Sequence, residues 1–240
     1  MRIGKTMNIQ PFIFNWKGQF EKTCQKEEQL KKIFDKVIVI NSDDTNEKPE
    51  WINVGDDYYF TEQFLKAVEV FDGDVMFHIQ ADASYDDFET LVEDAKKYYD
   101  EYEWGVYAPN VDYTWYIAQN TDIQSLQSSH SNIKMVADPD CTCWFIHKDV
   151  IDDFKNRNID MSDQKMGWGI DISICGLSFL RGRPVIRDYN HTVDHPPGTN
   201  YNKEVAANEM SILWQRLDDD MKQVISYIKG DREKLQNYFQ

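Results

Sequence analysis

The sequence predicts an α/β domain, a mainly parallel sheet covered by helices on both faces. Three observations carry this. Short apolar runs alternate with segments of helical spacing through the first half of the chain. The links between them are short and polar, as β-α-β units require. Acids and amides collect where the apolar runs stop, the place where open sheets of this kind bind ligands.

Residues 9–16, IQPFIFNW, form an apolar strand, and 19–34, QFEKTCQKEEQLKKIF, an amphipathic helix. The run 36–44, KVIVINSDD, is a buried strand that stops at Asp43 and Asp44. After a polar loop through Pro49, Phe60, Phe64, Ala67, Val68 and Phe71 recur at helical spacing. Residues 75–80, VMFHIQ, are the next strand, which breaks into Ala81-Asp82-Ala83-Ser84. A helix follows from Tyr85 to about Tyr99, with Asp86 and Asp87 near its start, where the helix dipole favours acids. EWGVYAPNV, 103–111, is another strand.

The second half is less regular. VADPDCTCWFIHKDVIDDF supplies a strand and a short helix, and MSDQKMGWGIDISICGLSFLRG a glycine-punctuated loop with a helix beginning near Asp171. RPVIRDY, 183–189, is a strand, and NHTVDHPPGTNYNKE a long polar loop. From Lys203 a charged helical tail runs toward Phe239, with a break at Gly230 and Asp231 before a last short helix. No repeat or linker is visible. One domain over 1–202, with a helical extension over 203–240 packed on it, is the economical division.

Composition narrows the function. Lys and Arg number 26 against 42 Asp and Glu, a formal net charge of −16. That repels nucleic acid over most of the surface and counts against a DNA substrate. It suits an enzyme whose small anionic ligand is carried by a bound cation. No apolar run approaches the ~20 residues that span a bilayer, and the start of the chain has no signal-peptide cleavage site. The four cysteines, Cys24, Cys141, Cys143 and Cys175, lack a disulfide or zinc pattern. A reduced, cytoplasmic setting is the simpler expectation. Cys141 and Cys143 are read as structural residues of one strand.

Three stretches carry chemistry. Asp82, at a strand end between small residues, can approach a divalent cation shared with a diphosphate, because Mg²⁺ and Mn²⁺ prefer oxygen ligands. As a bland alternative it caps a turn or helix. In Gly167-Trp168-Gly169-Ile170-Asp171, two glycines allow a sharp turn and present an acid at a helix start, which by itself is a common helix-start residue. Trp168 offers a face for sugar stacking with its indole N–H free, or is plain core. His195, before Pro196, Pro197 and Gly198, offers an imidazole that can complete a metal site, although a lone loop histidine is commonly a surface residue.

Taken together, in this order on an α/β chain, the three stretches resemble the GT-A glycosyltransferases over about residues 8–202. The resemblance implies a nucleotide-binding sheet, a UDP-sugar donor, and an Asp-x-Asp motif that binds Mn²⁺ or Mg²⁺. Here Gln80 stands at the first acid of that motif and only Asp82 keeps the metal position, which gives His195 more weight. By the same resemblance Asn15, Asp43 and Asp44, with Gln80 and Asp82, line the nucleotide-sugar site. Trp168, Gly169 and Asp171 face the acceptor, with Asp171 and Asp82 as the catalytic pair.

FIFNWKGQFEKTC, VGDDYYFTEQF, HIQADASYD, YAPNVDYTW, DCTCWFIH, MGWG and HPPGTNYN are similar to the T-even phage β-glucosyl-hydroxymethylcytosine α-glucosyltransferases. That similarity implies glucose from UDP-glucose as the group transferred, a sugar on modified phage DNA as acceptor, and the host cytoplasm as the setting. Lys148, Lys155, Arg157, Arg181 and Arg183 would supply local positive charge for the duplex, or are scattered surface cations. The competing expectations are a transferase acting on a polysaccharide or glycolipid, and a non-catalytic sugar- or nucleotide-binding module.

Overall fold

The computed structural model describes residues 7–114, 117–128, 130–197 and 201–230. Its strands are β1 (Ile9–Trp16), β2 (Ile38–Ser42), β3 (Ile52–Asn53), β4 (Val75–Gln80), β5 (Val106–Val111), β6 (Asp122–Ser125), β7 (Ile133–Val136), β8 (Cys143–His147) and β9 (Val185–Val193). The helices are α1 (Phe20–Leu30), α2 (Phe60–Val70), α3 (Phe88–Tyr102), α4 (Lys148–Arg157), α5 (Ile170–Leu180), α6 (Lys203–Arg216) and α7 (Asp219–Gly230). All nine strands join one sheet in the order β3-β2-β1-β4-β8-β5-β9-β7-β6.

The α/β expectation holds, and the sheet is mixed. β3, β2, β1 and β4 run parallel, as do β5 and β9. Between these two blocks β8 lies antiparallel to both β4 and β5. β6 and β7 form an antiparallel hairpin on the far edge.

Alternation along the strands divides the interior into two cores. Phe12, Phe14, Ile38, Ile40, Met76 and Trp144 pack on one side with helices α2, α4, α5 and α7. Ile13, Val39, Phe77, Ile79, Tyr107 and Phe145 pack on the other with α1 and α3. Because both faces are covered, the central strands read as continuous apolar runs rather than alternating ones.

Local signals set the helix starts. Glu62 accepts a hydrogen bond from the Tyr59 backbone N–H at the start of α2 (3.0 Å), and Asp87 accepts from the Thr90 N–H at the start of α3 (3.1 Å). That cap moves the α3 start to Phe88, three residues beyond the expected Tyr85. The polar loop expected from Asn190 begins later, because β9 continues through His191 to Val193. The C-terminal helical stretch is divided at Leu217 and Asp218, and the expected last short helix lies outside the described residues. α7 packs on α5 so closely that a Cβ at Gly176 would lie 2.8 Å from Ile225 Cγ1. All four cysteines are free, and Cys141 sits in the turn before β8 rather than in the strand. Among the described residues no helix is long and apolar enough to cross a membrane.

Candidate active site

The carboxyl ends of β1, β2 and β4 carry the first group of polar residues. Asn15 is fully buried; its Nδ2 donates to Asn41 Oδ1 (2.5 Å), and its Oδ1 accepts from Thr23 Oγ1 (2.6 Å). Its carbonyl accepts from Ser42 Oγ and Gln63 Nε2. Asp43, also buried, uses both carboxylate oxygens locally, on Thr45 and Asn46. Asp44 is exposed beside it, its N–H donating to Asp56 Oδ1. Asn15 and Asp43 therefore build the floor of this end of the sheet through internal bonds, and Asp44 stands at its rim.

The turn after β4 holds Asp82. Gln80 N–H donates to the Thr142 carbonyl and Ala81 N–H to that of Phe14, which carries the strand two residues past its apolar part. Ala81 and Ala83 are fully buried, so the turn is pressed against the sheet and Asp82 is the residue that emerges. A remote segment is stitched to it. Ser84 and Asp194 exchange two backbone hydrogen bonds (2.8 and 2.9 Å), and the His195 N–H donates to Asp112 Oδ1 (2.7 Å). These bonds bring His195 Nε2 to 3.7 Å from Asp82 Oδ2.

Burial pushes the Asp82 carboxyl above its usual range, against the opposing charges of His195, Lys22 and Lys26. Among the described residues neither Asp82 Oδ1 nor His195 Nδ1, both shut off from solvent, has a hydrogen-bond partner. Two ligands held about 2.1 Å from one divalent ion lie no more than about 4.2 Å apart, so this pair fits such an ion. A cavity of about 270 Å³ lined by Asn110, Asp112, Tyr113 and Gln119 adjoins the His195 loop through Asp112.

The residues expected on the acceptor side lie at the start of α5. Gly167 and Gly169 take φ of +83° and +96°, and a Cβ at Gly167 would overlap the Phe60 ring, so the turn requires glycine there. Asp171 is half-buried, and its Oδ1 accepts from the Ile172 N–H (2.8 Å). Burial raises its pKa to about 7, with the neighbouring Asp138 adding to the shift. Asp138 in turn pairs with Lys229 of α7 at 2.9 Å. The Trp168 indole N–H, expected to be free, donates to Tyr201 Oη (2.7 Å). Trp168 is thereby fixed in orientation by a residue just ahead of α6.

The basic residues are largely neutralised. Lys148 pairs with Asp152, Arg157 with Asp218 and Asp220, Arg181 with Asp153, and Arg183 with Asp149. Four of the five cations are thus engaged by acids in and around the packing of α4, α5 and α7, and Lys155 is exposed.

Sequence reasoning missed two features. Asp94, Asp188 and His191 bring ligand atoms within 4.8 Å of one another between α3 and β9. Their groups are already engaged: Tyr107 Oη and the Asn190 N–H donate to Asp188, and His191 bonds Asp94 and Tyr85. The other is Lys26, a buried lysine beneath the Asp82 turn. Its place in a charged amphipathic helix gave no sign of it.

The nine-stranded mixed sheet, with polar side chains gathered at its strand ends and helices on both faces, is a GT-A fold. No protein-family model and no curated sequence matches the chain. Among solved structures it is similar to S. aureus TarS, with a TM-score of 0.57 at 12% identity over 94% of this chain and 71% of that one. TarS in complex with UDP-GlcNAc gives a TM-score of 0.55 at 10% identity, over 97% of this chain and 73% of that one. GalNAc-T7 with UDP, GalNAc and Mn²⁺ gives 0.57 at 9% identity, over 97% of this chain and 54% of that one. At these identities the likeness establishes the fold.

Proposed function

We propose that the chain is a metal-dependent glycosyltransferase that moves glucose from UDP-glucose onto a sugar hydroxyl. The acceptor in this reading is the glucose of glucosylated hydroxymethylcytosine in phage DNA, modified in the host cytoplasm. The observation that carries the reaction class is the 3.7 Å approach of Asp82 Oδ2 and His195 Nε2 at the strand ends; the other atom of each group, Oδ1 and Nδ1, is buried with no hydrogen-bond partner among the described residues. A carboxylate oxygen suits Mn²⁺ or Mg²⁺, and the imidazole beside it favours Mn²⁺ of the two. A neighbour of the same fold holds UDP, GalNAc and Mn²⁺ together, and another holds UDP-GlcNAc.

When bound, a divalent ion there would neutralise the charge that develops on a departing nucleoside diphosphate. The chain's own residues do the rest. The Asn15 and Asp43 network, with Asp44 at its rim and Gln80 beside Asp82, shapes the nucleotide-sugar end of the site. Trp168 and Gly169 shape the acceptor side. Asp171, with a pKa raised to about 7, is matched to accept a hydroxyl proton near neutral pH if the reaction inverts configuration. If configuration is retained, as the phage resemblance implies, Asp171 orients the acceptor while the leaving phosphate assists the attack.

A second reading of the acceptor is favoured by one observation, the pairing of Arg157, Arg181, Arg183 and Lys148 with acids. With a net charge of −16 and those cations neutralised, a polysaccharide or glycolipid acceptor avoids the repulsion a duplex would meet. The test is incorporation of labelled glucose from UDP-glucose into plain, hydroxymethylated and glucosylated DNA, and into glycan polymers. Label confined to glucosylated DNA supports the first reading, and label in glycan alone supports the second. Absence of both transfer and donor hydrolysis leaves a binding module.

A further inference from the structure

Helix α1 has a buried stripe of an unusual kind. Thr23, Lys26 and Glu27 are all withdrawn from solvent along with Leu30. Each polar member reaches a different segment at the ligand end of the sheet. Thr23 donates to Asn15, and Glu27 accepts from Lys48 and the Trp51 indole. Lys26 Nζ donates to the carbonyls of Ala81 (3.0 Å) and Ala83, the residues on either side of Asp82. Burying an ammonium is unfavourable unless its protons are well bonded, and these two carbonyls converge on it.

The geometry has a direct consequence for Asp82. Two carbonyls drawn inward to one cation, two residues apart, fix the 81–82 and 83–84 peptide planes that bracket Asp82. The turn contains a single acid, since Gln80, Ala81 and Ala83 are neutral, so any ion bound there depends on how that one carboxylate points. On the far side, the Ser84–Asp194 bridge and the Asp112–His195 bond fix the imidazole. Lys26 supplies the matching constraint from below. We propose that Lys26 is a positioning residue for the metal site: by clamping the Ala81 and Ala83 carbonyls it holds the Asp82 carboxylate opposite His195. This inference rests on the metal-dependent reading of that pair.

The test compares wild type, Lys26→Met and Asp82→Ala by Mn²⁺ titration of UDP-sugar hydrolysis and of UDP binding. Outer-shell partners of metal ligands typically change metal affinity by about 10–100-fold, and a rise of that size in half-saturating Mn²⁺ is expected for Lys26→Met. At saturating Mn²⁺ its kcat should return to near wild type, a split that general damage to the fold does not produce. A Lys26→Met midpoint equal to wild type, with Asp82→Ala displaced, overturns the inference while leaving the metal reading intact. A wild type indifferent to Mn²⁺ overturns both. If Lys26→Met does not fold, the ¹⁵Nζ resonance of Lys26 in the wild type decides. It should shift when Mg²⁺ and UDP are added, and a fixed resonance beside a moving Asp82 carboxyl signal overturns the clamp.

Discussion

His195 Nε2 stands 3.7 Å from Asp82 Oδ2 because two backbone hydrogen bonds between Ser84 and Asp194 tie their loops together. Neither residue is near the other in sequence, and neither completes its hydrogen bonding among the described residues. The proposed chemistry of the site follows from this pairing.

Replacing Asp82 with Ala is expected to reduce sugar transfer by about 10²–10³-fold or more, the range seen when a charge-stabilising group is lost. The fold should survive, since among the described residues the carboxylate's close side-chain partner is His195 of the surface loop rather than a core group. Steady-state kinetics at saturating donor, beside a thermal melt, check this. Full activity in the variant would remove Asp82 from the site.

His195→Ala should raise the Mn²⁺ concentration needed for half activity while leaving kcat at high metal comparatively unchanged. An unaltered metal titration would make His195 a bystander and turn attention to His191. That histidine is buried and bonded to both Asp94 and Tyr85.

Asp171→Asn should abolish transfer to the acceptor while slow donor hydrolysis and UDP affinity persist. The wild-type pH profile follows from the raised pKa of about 7. If Asp171 acts as base, activity rises with pH through that value. Stability responds in the opposite direction. Between an unfolded carboxyl pKa near 4 and the folded value near 7, the native state binds the extra proton. This group therefore makes the protein less stable as pH rises through that window, and Asp171→Asn should flatten the slope. Denaturant melts from pH 4 to 8 measure it. Loss of UDP binding in a folded Asp171→Asn variant would move the residue to the donor site.

Gly167→Ala should destabilise by about 1–3 kcal/mol, because the new Cβ meets the Phe60 ring at a positive φ. For a chain of this size that lowers Tm by several degrees, on the order of 2–4 °C per kcal/mol. An unchanged melt would mean that the Gly167–Trp168–Gly169 turn relaxes without strain.

Much of this was written in local residue patterns, and the rest was not. The break after VMFHIQ marks Asp82, because a buried strand rarely stops in small and acidic residues without a turn. The glycines beside Trp168 mark their turn by needing positive φ. The Ser84–Asp194 bridge has no sequence signature, since backbone bonds between remote residues leave side-chain identity free. Strand direction is equally silent: CWFIH reads the same whether β8 runs parallel or antiparallel between β4 and β5. Short β6 and β7, DIQS and IKMV, fall below the length at which periodicity can be read. Lys26 was hidden by its own type, because a lysine in a charged helix reads as solvent-facing. The free indole expected at Trp168 failed for a similar reason, its partner Tyr201 lying far along the chain.

The most direct measurement of the central claim is release of UDP from UDP-sugars by the purified wild-type chain, with and without Mn²⁺. The account predicts slow hydrolysis of UDP-glucose that requires Mn²⁺, is abolished by a chelator, and is restored when the metal is returned. Hydrolysis at the same rate in metal-free buffer, or no turnover and no UDP binding at any Mn²⁺ concentration, would contradict it.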